Sequence, residues 1–151
     1  MLEKKVWIFQ ENPKRYDTLK ALDDPRLGNE TTWLVKRYKN EISKGDVGLI
    51  WLSGNKAGIY AIGEILNNPM MMELPEAEKK YYLIDSDEGD LTRLYVKMKI
   101  VTKLIDRPIL KNQIKEIKGL QNLSILKFWN HTNFPVTIEE WNEIKKLLEN
   151  K

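Results

Sequence analysis

Trp33 and Trp51 stand in two β-prone runs, Thr31 to Val35 and Val47 to Leu52. Lys36, Arg37 and Lys39 lie directly behind the first run, and Ser53-Gly54-Asn55-Lys56 directly behind the second. Indole faces, short polar side chains and clustered cations are the parts that hold a flat heterocycle carrying phosphate. Stacking a base on an aromatic ring contributes ~1–3 kcal/mol. Ser53, Asn55 and Asn133 offer hydrogen bonds to a base edge, and Lys36, Arg37 and Lys56 offer charge to a backbone. Trp33 and a second aromatic, Trp51 or Tyr60, are the candidate walls. A base within a duplex must leave the stack to be enclosed this way. A small alkyl mark on it would favour a closed apolar pocket, at roughly 0.8 kcal/mol per methylene-sized group. The plainer alternative is that a Trp in a strand fills the core.

The same residues argue against catalysis. His131 is the one histidine and there is no cysteine, so the common nucleophile–base pairs have no members. The phosphate-loop and dinucleotide glycine patterns are missing, as are HExxH and CxxC. The expectation is a binder, not an enzyme, with no cofactor and no metal. An acidic run, Asp85-Ser86-Asp87-Glu88-Gly89-Asp90, lacks EF-hand spacing and reads as a solvated turn.

The chain has 151 residues, 42% hydrophobic and 31% charged, with a net charge of +3. That composition predicts one soluble globular domain over residues 1–151. No apolar run reaches the about 20 residues needed to cross a bilayer, and the N-terminus lacks a signal-peptide pattern, so a cytoplasmic protein is expected. The mildly basic balance favours a polyanionic partner only through how the charge is distributed.

The positioning elements follow from periodicity. Lys5 to Gln10 predicts a short buried strand, and Asn12-Pro13 a helix start, with Tyr16, Leu19 and Leu22 on its stripe before Pro25. Val47, Leu49 and Trp51 alternate with Gly48, Ile50 and Leu52; both sets are apolar, so this strand should be central. Gly63 within the run Gly58 to Leu66 predicts a bulge or a close backbone approach. Asn67 to Asp90 reads as irregular. Leu91 to Ile105 predicts a long strand, with Leu94, Val96, Met98 and Ile100 buried and Arg93, Tyr95, Lys97 and Lys99 on a wet basic face. Lys111 to Ile117 predicts a short helix. Thr137-Ile138-Glu139-Glu140 fits a capping box that opens the last helix, with Trp141 turned to the core.

Three blocks in order, TTWLVKRY from Thr31, GDVGLIWLSGNKAGIYAIGEI from Gly45 and TNFPVTIEEW from Thr132, resemble the EVE domain of the PUA-like superfamily, a relative of the YTH domain. The resemblance runs from Val6–Phe9 to the final helix. It implies an α+β fold: a PUA-like curved mixed β-barrel or sheet of five to six strands flanked by helices. It also implies a reader of modified nucleobases, most often in DNA, that often serves as the sensor of a modification-dependent restriction system. By position, Trp33 corresponds to the aromatic residue that opens the pocket. Ser53 and Gly54 match the loop after the second strand, and Asn133-Phe134-Pro135 match the C-terminal block. His131 stands where similar sequences often have Gly.

The expected base pocket is thus Trp33, Trp51, Ser53, Tyr60, Asn133 and Phe134, with Lys36, Arg37 and Lys56 meeting phosphate. The partner is nucleic acid, modified DNA before RNA, with any nuclease or effector a separate protein and no membrane involved. The alternatives are an RNA-binding PUA-like module without modification readout, a small-molecule or nucleotide sensor, and a protein-interaction adaptor.

Overall fold

The computed structural model describes residues 4–83 and 92–149. The acidic run from Asp85 to Asp90 lies outside them. Eight strands form one sheet: β1 (Val6–Glu11), β2 (Glu30–Leu34), β3 (Val47–Leu52), β4 (Gly58–Ile65), β5 (Met70–Glu73), β6 (Thr92–Lys103), β7 (Ile109–Leu110) and β8 (Asn133–Val136). Six of them run in the order β2-β6-β4-β3-β1-β8, while β5 adds to β6 and β7 to β4. The β1/β3 pair is parallel and the others are antiparallel, so the sheet is mixed. Among the described residues four short α-helices and one longer one accompany it: α1 (Thr18–Leu22), α2 (Glu76–Lys79), α3 (Lys111–Lys115), α4 (Ser124–Lys127) and the longer α5 (Ile138–Glu149).

The two apolar faces of β3 explain the layering. Leu49 and Trp51 pack with Ile114, Leu120, Leu123, Ile125 and Ile144, so this face lies under α3–α5. Ile50 and Leu52 pack with Trp7, Phe9, Trp33, Val35, Val96 and Met98, on the opposite, inner face. A strand covered on both sides must be apolar throughout, as this one is.

Glycine lets the sheet curl. The β4/β6 register shifts between Ile62 and Gly63, and a Cβ at Gly63 would stand 2.5 Å from the Lys99 carbonyl oxygen and 2.7 Å from Met98 Cγ. The predicted bulge and close approach are therefore one feature, and any side chain there would force β6 away.

The curl brings the two path ends, β2 and β8, together. Asn133 on β8 is 1% exposed. Its Oδ1 accepts from the backbone N–H of Lys36 (2.7 Å) and of Arg37 (3.1 Å), and its Nδ2 donates to the Leu34 carbonyl (3.0 Å). One amide thus clasps the sheet edges through the backbone at the end of β2 and just beyond it.

Several boundaries differ from expectation. Asn12 does not start a helix: its Oδ1 accepts from Lys14 N–H in a turn, and α1 begins after Asp17, whose side chain caps Lys20 N–H. The stretch read as irregular holds β5 and α2. The Thr137 capping box is present: Glu140 N–H donates to Thr137 Oγ1 (3.1 Å) and Thr137 N–H to Glu140 Oε1 (2.9 Å). Trp141 is only partly buried, with the Lys145 ammonium 5.6 Å from its ring centroid.

Candidate functional site

At one end of the curl lies a cavity of about 500 Å³, within the range of small-ligand sites, about 300–1,000 Å³. Its walls come from the ends of strands and the segments beyond them. Gln10 and Glu11 close β1, Thr31 to Leu34 form β2, and Ser53 follows β3. Arg93 and Tyr95 begin β6, and Trp129 to Thr132 precede β8. The segment before α1 adds Arg15 and Tyr16, and α2 with its exit adds Glu78 and Tyr82.

Trp33 lines this cavity. Thr31 and Trp33 on β2 and Val35 just after it alternate inward, and the Trp33 indole N–H donates to Thr31 Oγ1 at 2.7 Å. With its polar edge satisfied and 7% of the residue exposed, the indole presents carbon surface to the cavity from a fixed position. Tyr16 and Tyr82 meet edge to face, 5.1 Å between centroids and 79° between planes, and the Tyr16 hydroxyl donates to the Glu78 carbonyl (3.0 Å). Tyr95 is buried beside Leu74 and Tyr82. With Trp129 at the rim, the site therefore has two tryptophans and three tyrosines around it.

Its other members are charged. Glu78 is buried and accepts from Thr32 N–H and Thr32 Oγ1, both at 2.7 Å, which ties α2 to β2. Burial raises its pKa, and the Thr32 bonds oppose the rise. Glu11 ends β1 on the same face as Trp7 and Phe9. Burial pushes its carboxyl up to about 7, against the pull of Arg15 and Lys36. Burial also raises the Tyr16 and Tyr95 phenols, and Glu11 and Glu78 add to the rise. At the rim, Gln10 Nε2 donates to the carbonyls of Trp129 (2.9 Å) and His131 (2.6 Å). That holds Trp129 in place although it is 72% exposed. The His131 ring stacks between Phe128 (5.3 Å) and Phe134 (6.1 Å).

Of the residues singled out from sequence, Trp33, Ser53 and Lys36 line the cavity. The others do not. Trp51 packs under the helices on the outer face. Tyr60 is buried in the inner core, its hydroxyl donating to the Lys56 carbonyl at 2.6 Å. Asn133 is the clasp, and Phe134 is fully buried in the outer-face core. Arg37 and Lys56 are exposed away from the cavity walls. The second aromatic wall comes instead from Tyr16, Tyr82 and Tyr95, and further cations from Arg15 and Arg93. The β6 pattern carried a usable signal: alternation put Arg93 and Tyr95 on one face. That face is not uniformly wet, because Tyr95 is 3% exposed beneath Leu74 and Tyr82.

The architecture is that of a known class. A protein from Leishmania major has a TM-score of 0.69 at 18% identity, over 98% of this chain and 96% of that one. A Pseudomonas putida protein reaches 0.65 at 25%, over 94% and 98%. Human THYN1, solved in complex with DNA containing 5-methylcytosine, reaches 0.65 at 16%, over 95% and 97%. These likenesses define a curled, mixed half-barrel sheet with flanking helices, the PUA-like arrangement. The EVE domain model matches residues 5–147, and the chain belongs to that family. None of the curated proteins compared matches the chain by sequence.

Proposed function

We propose that this chain is a nucleic-acid-binding module that encloses one modified nucleobase, in DNA in preference to RNA. The observation that carries this reading is the cavity of about 500 Å³ with the Trp33 indole as one wall and Lys36 beside it. Five tryptophans and tyrosines around a concave site suit a flat ring, and Arg15, Lys36 and Arg93 suit the phosphates attached to it. Membership of the EVE family and the methylated-DNA complex of human THYN1 support the same direction. The whole chain acts as one domain that binds and does not catalyse. A nuclease or regulatory effector, where one responds, is a separate protein.

The enclosed surface gives the expected size of the modification readout. A buried methyl contributes roughly 0.8 kcal/mol, about fourfold in affinity, so discrimination by the alkyl group alone is modest. The test is titration of single-stranded and duplex oligonucleotides carrying one 5-methylcytosine, one hydroxymethylcytosine or plain cytosine. The marked strands should bind more tightly, and Trp33→Ala should abolish the difference. Equal affinity for all three, unchanged in Trp33→Ala, would refute the reading.

A further inference from the structure

Glu11 is the carboxyl lining the cavity beside Trp33 that, among the described residues, keeps hydrogen-bonding capacity to spare. Glu11 is half-buried, and the fully buried carboxylates among the described residues are engaged. Glu78 accepts twice from Thr32, and Asp46 accepts from Lys5 N–H, Trp7 Nε1–H and Ser43 N–H. Among the described residues the Glu11 carboxyl interacts through charge: Arg15 and Lys36 act on it, and it acts in turn on Tyr16 and Tyr95. Its backbone is fixed. Glu11 pairs with Leu52, its carbonyl accepts from Ser53 N–H (3.1 Å), and Gln10 N–H donates to the Thr132 carbonyl (2.9 Å). A rigid strand end thus aims a carboxyl into the cavity that Trp33 lines.

Resting on the function proposed above, we propose that Glu11 reads the edge of the enclosed base as a neutral acid. Its O–H donates to a ring nitrogen, and its carbonyl oxygen accepts from the adjacent exocyclic amino group, so the cavity takes cytosine- or adenine-type bases. Cytosine and adenine each present an amino donor next to a basic ring nitrogen. Thymine places its N3–H beside a carbonyl, so the acid O–H would have to donate to a carbonyl oxygen, a weaker acceptor than a ring nitrogen, and the pair is weaker. Guanine's two adjacent donors, N1–H and N2–H, suit a carboxylate, and beside N1–H the acid O–H finds only the O6 carbonyl, a weaker acceptor than a ring nitrogen. The burial that pushes the Glu11 carboxyl up to about 7 keeps the acid form populated near neutral pH. One proton is bound with the base and none is transferred away, so the complex carries that proton on the Glu11–ring nitrogen bond.

Other titratable and charged groups face the same space. Arg15 and Tyr16 come from the segment before α1, and Lys36 from behind β2. Glu78 and Tyr82 come from α2 and its exit, Arg93 and Tyr95 from β6, and His131 from before β8. Of these, Arg15 and Lys36 are the ones whose charge acts on Glu11, and both oppose the neutral form. Loss of either charge would move the transition upward.

The test is titration of one single-stranded oligonucleotide carrying a single 5-methylcytosine, and of the same strand with thymine at that position. With a carboxyl near 7, affinity for the 5-methylcytosine strand should fall about tenfold between about pH 6 and about pH 8. Glu11→Gln keeps an N–H donor beside a carbonyl acceptor, so it should bind that strand within a few-fold of the wild type at the lower pH. Its pH profile should be flat. Glu11→Ala should lose about tenfold or more and its preference over thymine. A Glu11→Gln variant that retains the wild-type pH dependence, an affinity that rises with pH, or equal binding of the thymine strand would overturn the assignment. If Trp33→Ala abolishes binding while the Glu11 variants change nothing, Glu11 alone is misassigned. If Trp33→Ala and the wild type bind every strand alike, the base-enclosing reading falls with it.

Discussion

Replacing Asn133 by alanine removes the clasp between the two ends of the curled sheet. Three hydrogen bonds disappear, to Lys36 N–H, Arg37 N–H and the Leu34 carbonyl. Each contributes ~0.5–1.5 kcal/mol net, and orphaned backbone groups at a 1% exposed site add to the loss. The expected destabilisation is about 3 kcal/mol. With a urea slope of about 1.5–2 kcal/mol per molar, the unfolding midpoint should fall by roughly 1.5–2 M at unchanged slope. Asn133→Asp keeps the two acceptor bonds but turns an oxygen toward the Leu34 carbonyl, so it should lie between. Base affinity should fall as well, because Lys36 and the end of β2 lose their anchor. A midpoint within about 0.3 M of the wild type would refute the clasp and leave the curl to be held by the apolar core alone.

Glu11→Gln should stabilise the free protein at neutral and higher pH. Its folded-state pKa, about 7, lies above the ordinary 4.5, so the native state holds this proton more tightly than the unfolded chain. Stability therefore falls as pH rises from 4.5 to about 7 and is flat beyond. Allowing for the partial exposure of Glu11, the variant should gain roughly 2 kcal/mol at about pH 8 and nothing at about pH 4, as read from urea midpoints at the two pH values. Asp46→Ala should strand the buried Trp7 indole N–H and two backbone N–H groups that its carboxylate now accepts from. A loss of about 3 kcal/mol corresponds to a melting temperature lower by roughly 6–12 °C, read by calorimetry.

The elements readable in the sequence are those whose signals are local. Alternation in β3 identified a central strand, Gly63 a bulge, and Thr137 with Glu140 the start of α5. Trp33 was recognisable as a candidate wall from its strand, its basic flank and its family resemblance. The rest of the site was hidden because it is assembled from segments far apart in the chain. Tyr16 looked like part of a helical stripe, whereas the Tyr16 loop pairs with the segment around Tyr82 and turns both rings to the cavity. Trp51 and Asn133 had the right chemistry for a base site. The parity of β3 turned Trp51 toward the helices, and the meeting of β2 with β8 consumed the Asn133 amide. Glu11 gave no warning, since a strand-ending glutamate is ordinarily solvated and its partial burial comes from the curl of the sheet around it.

The central claim is that binding energy comes from one base enclosed beside Trp33. The direct measurement is the affinity of wild type and Trp33→Ala for an oligonucleotide carrying 5-methylcytosine and for the same strand with an abasic sugar at that position. With the base gone, its stacking energy, ~1–3 kcal/mol, is gone, so the wild type should bind the abasic strand about 5- to 150-fold more weakly. Trp33→Ala should bind both strands alike, at that weaker level. Equal wild-type affinity for the two strands would contradict the account, because the cavity would then contribute nothing that a phosphate backbone on cations does not.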